Sequence, residues 1–273
     1  MQKSPYIRGI FYFSDRGEDN LKINDKEMPF LEHLEEFRNR IIKALIALVI
    51  GMVACLFFSK PLLNILLWPT TRVNVPLNIQ VLKVQGMFMV TLEIAFFGGL
   101  IIGLPVILYQ LWMFIAPGLY RHEKKYVPRI LFSATALFLL GVVFAYYIII
   151  PFALDFFIGL APEGIENNIA IDFYIGFVVR ILAVFGLIFQ LPIMSYFLSK
   201  LGVLKPQLMK KYRRHAIVVI FIVAAILTPP DPFTQTLLAI PLMILYELSI
   251  IISQWVNKSR NKKPELTTEE QTG

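Results

Sequence analysis

Apolar residues in this chain do not alternate with polar ones. They run in long blocks separated by short connections rich in charge, and the blocks fall at 41–58, 88–109, 130–151, 173–198, 216–228 and 233–253. A helix needs about 20 apolar residues to cross the ~30 Å hydrocarbon core of a bilayer. Unbroken apolar runs longer than a strand, without period-two alternation, read as helices. The pattern predicts an all-α integral membrane protein of six transmembrane helices, with one membrane domain over 28–255 and a tail over 256–273. Six crossings put both termini on the same side. Residues 1–27 read as a flexible cytosolic extension. Asp15, Arg16, Glu18 and Asp19 interrupt any apolar core there, so the segment does not resemble a secretory leader.

Two features disturb the regular pattern. The fifth block, between His215 and Pro229, would reach only about 20 Å as a helix, which predicts snorkelling of Arg213 and Arg214 or a locally thinned bilayer. Prolines at 105, 117, 151, 192 and 241 are expected to kink or end helices, because each removes a backbone donor. The result is a bent, concave bundle.

Composition agrees with the pattern. The chain is 57% hydrophobic and only 16% charged, with a mean hydropathy of +0.66, well outside the range of soluble domains. Its net charge of +7 would suit nucleic acid, but distribution excludes that reading. Connections on the side of the N-terminus carry 17 Lys and Arg, those on the other side carry 3, and the connection 153–172 carries none. By the positive-inside rule both termini are cytosolic. The sole cysteine, Cys55, lies inside an apolar block and forms no intramolecular disulfide.

Polar groups inside apolar blocks are costly and point to a site or a pair. Glu93 and Arg180 each lie about two turns inside blocks two and four, at similar depth. They either pair, share a water-filled recess, or snorkel separately. Gln190, in "FQLPI", needs hydrogen-bond partners. It either bonds carbonyls freed by Pro192 or faces a binding groove. Enzyme signatures are missing: there is no His-Glu-x-x-His, no Gly-x-Ser-x-Gly and no phosphate-binding glycine loop. His33, His122 and His215 lie far apart at cytosolic flanks, so neither a metal nor a cofactor is expected.

Just before the first block, "MPFLEHLEEFRNRII" carries an apolar stripe of Phe30, Leu31, Leu34, Phe37 and Ile41 at helical spacing. Glu32, Glu35, Glu36 and Asn39 lie opposite it. This helix is expected along the interface or against the bundle. A second acid is conspicuous in the first cytosolic connection, where Glu123 sits among Arg121, His122, Lys124 and Lys125.

Three stretches, "HLEEFRNR" (33–40), "PVILYQLWMFIAPGLYRHEKK" (105–125) and "LTPPDPFTQTLLAIPLMILYE" (227–247), resemble the hallmark regions of the TatC family, the multispanning subunit of the twin-arginine protein translocase. The resemblance covers about 28–255 in order. It implies a receptor rather than an enzyme, located in the bacterial plasma membrane. Such a receptor binds signal peptides with two consecutive arginines on folded cargo. It works with TatA- and TatB-type single-span partners and other TatC copies, and the proton-motive force drives export. The resemblance also implies site residues: Glu36 and Glu123 for the two arginines, with Arg38 and Phe114 beside them, and Asp231 and Gln235 near partner contacts. Gln190 stands where the family often has a glutamate, and Gln190→Glu is expected to be tolerated.

Chemistry agrees with that role. A guanidinium binds a carboxylate through two parallel hydrogen bonds that an ammonium cannot copy. Two such contacts supply roughly 3–6 kcal/mol, whereas micromolar binding needs about 8 kcal/mol, so an apolar segment of the peptide must add the rest. The rival readings are an ion-coupled small-molecule transporter using Glu93 and Arg180, and a membrane scaffold without cargo specificity.

Overall fold

Met28–Phe57 forms a single 30-residue helix, α1, about 45 Å long. No glycine or proline interrupts residues 30–50. The apolar stripe, expected along the interface or against the bundle, is therefore continuous with the first membrane span, and its Phe37 packs on Phe114 of the bundle. The computed structural model describes residues 28–73, 77–115, 127–160, 162, 167–227 and 232–269. The extension 1–27 lies outside them.

After α1 come a short helix α2 (Ser59–Leu67), a 3-10 turn (Trp68–Arg72) and strand β1 (Leu77–Gln80). Helix α3 (Gly86–Ile115) follows and runs through Pro105 without ending. Helix α4 (Val127–Phe144) passes through a π turn (Ala145–Ile149) into α5 (Ile150–Gly159). Pro151 has no N–H to donate, and the widened turn before it absorbs the mismatch. Strand β2 (Asn167–Ala170) leads into α6 (Ile171–Ile188) and, after a break at Phe189 and Gln190, α7 (Leu191–Lys200). Pro192 explains that break, since it cannot bond Ile188. The chain ends in α8 (Pro206–Lys211), α9 (Arg213–Leu227) and α10 (Pro232–Glu269), which contains Pro241.

Five stretches among the described residues are long and apolar enough to cross a membrane: Leu34–Phe57, Gly86–Phe114, Pro128–Gly159, Ile171–Lys200 and Pro232–Lys258. The fifth block of the sequence pattern is α9. Its 15 residues reach about 22 Å, less than the hydrocarbon thickness. Arg213 at its start does not snorkel alone, because its Nη2 holds Glu247 Oε2 of α10 at 2.8 Å.

Among the described residues, the bundle departs from a purely helical fold at one two-stranded sheet. β1 and β2 pair in parallel, Leu77 opposite Asn167 through Gln80 opposite Ala170. This pair joins the connections after α2 and before α6 at one end of the bundle. Lys83 Nζ bonds Asp172 Oδ2 at 2.7 Å beside it. At the same end, two tyrosines from other helices cap carbonyls of α2's last turn, where Ile65 O also accepts the Trp68 N–H. Tyr174 donates its hydroxyl to Leu66 O at 2.8 Å, and Tyr146 donates to Ile65 O.

The core forms where α3, α6 and the π turn meet, around Ile94, Phe97, Ile149, Ile175, Ile181 and Phe185. α1 stands outside it. Leu45, Val49, Ile50 and Val53 are exposed, and α1 meets α3 along a seam of small residues. A Cβ on Gly51 would lie 2.7 Å from Gly99 O, and one on Gly99 would lie 2.6 Å from Met52 N. Only residues without side chains allow backbones this close, the small-residue packing that holds membrane helices together.

Candidate functional site

The α1–α3 seam determines what the N-terminal acids face. Gly51 lies at Gly99 and Gly103 lies at Ala47, so the helices run antiparallel and each step down α1 is a step up α3. Continued toward the chain start, that register brings Phe37 to Phe114. Their ring centroids are 5.0 Å apart with planes at 48°. Glu36 is the preceding residue of α1, so the Phe37–Phe114 contact brings the α1 segment that carries Glu36 to the end of α3 that carries Phe114.

Glu36 is already engaged by a guanidinium. Arg40 Nε donates to Glu36 Oε1 at 3.0 Å, and Arg40 Nη2 reaches the same oxygen. The Glu36 side chain is 35% accessible and that of Arg40 17%. Sequence reading did not single out Arg40, although its i,i+4 spacing from Glu36 is the ordinary signal for such a pair. Phe37 was legible as part of the apolar stripe but not as the contact to Phe114. Arg38 is exposed. Glu123 and Asp231 lie outside the described residues.

Phe114 is positioned by its neighbours. Two residues earlier Trp112 is buried and meets Phe197 of α7 edge-on, with centroids 4.1 Å apart. One side of α3's exit is thereby anchored in the bundle, while Phe114 is left for α1.

The remaining polar residues lie inside the bundle, and two of them, Glu93 and Gln190, each keep a buried oxygen without a hydrogen bond. Gln190 is buried. It donates Nε2 to Ala134 O of α4 at 3.1 Å, a carbonyl 56 residues away, and not to the one freed by Pro192. Its Oε1 is buried without a hydrogen bond. Gln235 donates Nε2 to Phe221 O of α9 at 2.9 Å, tying α9 to α10. Glu93 and Arg180 converge on Gly176. The Glu93 carboxylate oxygens lie 3.3 and 3.4 Å from where a Gly176 Cβ would be, and Arg180 Nη2 lies 3.4 Å from it. Arg180 Nε bonds Gly176 O at 2.7 Å. The structure brings the two charges to one place without a direct hydrogen bond between them among the described contacts. No cluster of three or more His, Cys, Asp or Glu able to hold a metal occurs among the described residues.

This arrangement defines a multipass helical membrane protein with a few polar groups enclosed in its bundle. The family model for the Sec-independent protein translocase protein (TatC) matches residues 32–241. The chain belongs to the TatC family, a non-enzymatic component of a protein translocase. It is 38% identical to the Sec-independent protein translocase protein TatC of Aquifex aeolicus over 86% of this chain and 98% of that protein. It is 35% identical to the TatC of Escherichia coli K12 over 86% and 92% respectively. It superposes on a crystal structure of the twin arginine translocase receptor TatC with a TM-score of 0.76. That match has 38% identity and covers 82% of this chain and 99% of that one.

Proposed function

We infer that this protein is the receptor subunit of a twin-arginine translocase and that Glu36 receives one arginine of the signal peptide. The observation that carries this reading is the Glu36–Arg40 contact beside the Phe37–Phe114 pair. Glu36 presents its carboxylate to a guanidinium at the junction of two hallmark stretches. An i,i+4 ion pair of this kind contributes only about 0.3–0.5 kcal/mol, so an incoming arginine displaces Arg40 at little cost. Until then Arg40 holds the carboxylate oriented.

Glu123 supplies the second carboxylate, and Phe114 with Arg38 borders the site. An apolar segment of the peptide lies against the membrane-facing bundle. Asp231 and Gln235 mark the hairpin where TatA- and TatB-type partners and further TatC copies assemble for export driven by the proton-motive force. The charge bias of 17 to 3 supports cytosolic termini in a bacterial plasma membrane. Glu93 and Arg180 then form an internal charge site of a translocase subunit, not a transporter's ion site.

Binding of the purified full-length protein to fluorescent signal peptides with Arg-Arg or Lys-Lys tests the reading. An Arg-Arg preference of at least about tenfold, equivalent to ~1.4 kcal/mol, is expected. Glu36→Ala or Glu123→Ala should erase the preference. Equal binding of both peptides by the unmodified protein overturns it.

A further inference from the structure

A groove of about 690 Å³ opens between α4, α7 and α10, and polar atoms form little of its wall. Its volume lies within the range of sites that hold small molecules. Three helices line it, and their register can be read from pairs of contacts. Ser195 Oγ bonds Ser249 O at 2.8 Å and Ser199 Oγ meets Ser253 Oγ at 2.6 Å, so α7 and α10 run parallel. Gly141 lies against Phe189, while Ile130 packs with Phe197 and Tyr196, so α4 runs antiparallel to both. Arg129, Tyr196 and Trp255 therefore share one end of the groove, and Leu140, Phe189 and Leu245 share the other.

The groove extends along α4 from Arg129 to Leu140 and along α10 from Leu245 to Trp255. At 1.5 Å per residue that is about 15 Å, half of the ~30 Å hydrocarbon core. A membrane-spanning peptide helix would need a surface twice as long. One lipid leaflet has this depth. The ends match a lipid as well. Trp255 and Tyr196 have the amphipathic rings that sit at headgroup level. Arg129 is exposed, and its guanidinium has no hydrogen-bond or ion-pair partner among the described residues. Lys258 is exposed about one turn beyond Trp255. The cationic end suits a phosphate, and the apolar walls suit an acyl chain.

We propose that this groove is a binding site for one anionic glycerophospholipid. Its phosphate is held by Arg129 at the rim, and one acyl chain lies between Leu137 of α4, Ile193 of α7 and Leu248 of α10. The site is separate from Glu36 and does not depend on the signal-peptide reading.

Native mass spectrometry of the full-length protein, released from detergent after incubation with equal amounts of phosphatidylglycerol and phosphatidylethanolamine, tests this. The unmodified protein should retain one phosphatidylglycerol in preference to phosphatidylethanolamine. Arg129→Gln should lower that preference about fivefold, as expected for one basic residue near an anionic headgroup. Leu248→Trp, which fills the groove from an exposed position, should abolish retention of both lipids. Ser133→Trp, on α4 at the rim, does the same from the opposite wall and guards against a local defect in α10. An unchanged lipid ratio in Arg129→Gln, or full retention in both tryptophan variants, overturns the proposal.

Discussion

Phe37 of α1 meets Phe114 of α3 with ring centroids 5.0 Å apart and planes inclined at 48°. This contact joins two helices that otherwise touch mainly through small residues, and it stands next to Glu36. Tilted aromatic pairs contribute about 0.5–1.5 kcal/mol beyond the area they bury. Phe37→Ala and Phe114→Ala should each weaken binding of an Arg-Arg signal peptide. The double variant should be no weaker than the worse single one, because the two rings act as one unit. Fluorescence anisotropy reads the affinities, and additive losses would show that the rings act separately.

Gly99 allows α1 to reach the bundle. A Cβ there would lie 2.6 Å from Met52 N and 2.9 Å from Met52 Cα, and backbone atoms cannot swing aside. Gly99→Ala should destabilise the protein by about 1–3 kcal/mol, as overpacking of a close contact does. Gly159→Ala is the control, since nothing lies within 4 Å of a Cβ at that position. Thermal unfolding in detergent should show a lowered midpoint for the first variant and none for the second.

Tyr174→Phe removes one hydroxyl from the interior. The Leu66 carbonyl at the end of α2 then loses its donor in a buried setting, where Tyr174 is 3% exposed. A loss of about 1–2 kcal/mol is expected for a buried group left unpaired. Tyr146→Phe should matter less, because Ile65, whose carbonyl it caps, is 55% exposed and water can replace the hydroxyl. Comparison of the two unfolding midpoints decides the matter, and equal losses would contradict it.

Gln190→Glu should be tolerated, because a carboxylic acid O–H can replace the amide N–H at Ala134 O. Gln190→Leu keeps the volume and loses the bond. Its expected cost is about 0.6 kcal/mol, the average for hydrogen bonds between membrane helices. Insertion and thermal stability measured side by side give the answer. A glutamate variant that fails to insert, beside a stable leucine variant, would reverse the expected order.

Hydropathy alone determined the membrane class, the positions of five spanning helices and the shortness of the α9 block. These depend on local composition and on the length needed to cross lipid. The hallmark stretches carried the family, and the Glu36–Arg40 pair was open to reading from its i,i+4 spacing. Tertiary structure decided the rest. It joined the N-terminal stripe to the first span, turned Phe37 to Phe114, sent Gln190 to Ala134 and gathered Glu93 and Arg180 at Gly176. It also paired β1 with β2 across almost ninety residues of chain. The reason is physical. Lipid tails and a protein interior are equally apolar, so an apolar residue in the sequence does not disclose whether it faces the bilayer or another helix. The close approach of small residues such as Gly51 and Gly99 selects the faces of α1 and α3 that meet, and that register brings Phe37 to Phe114.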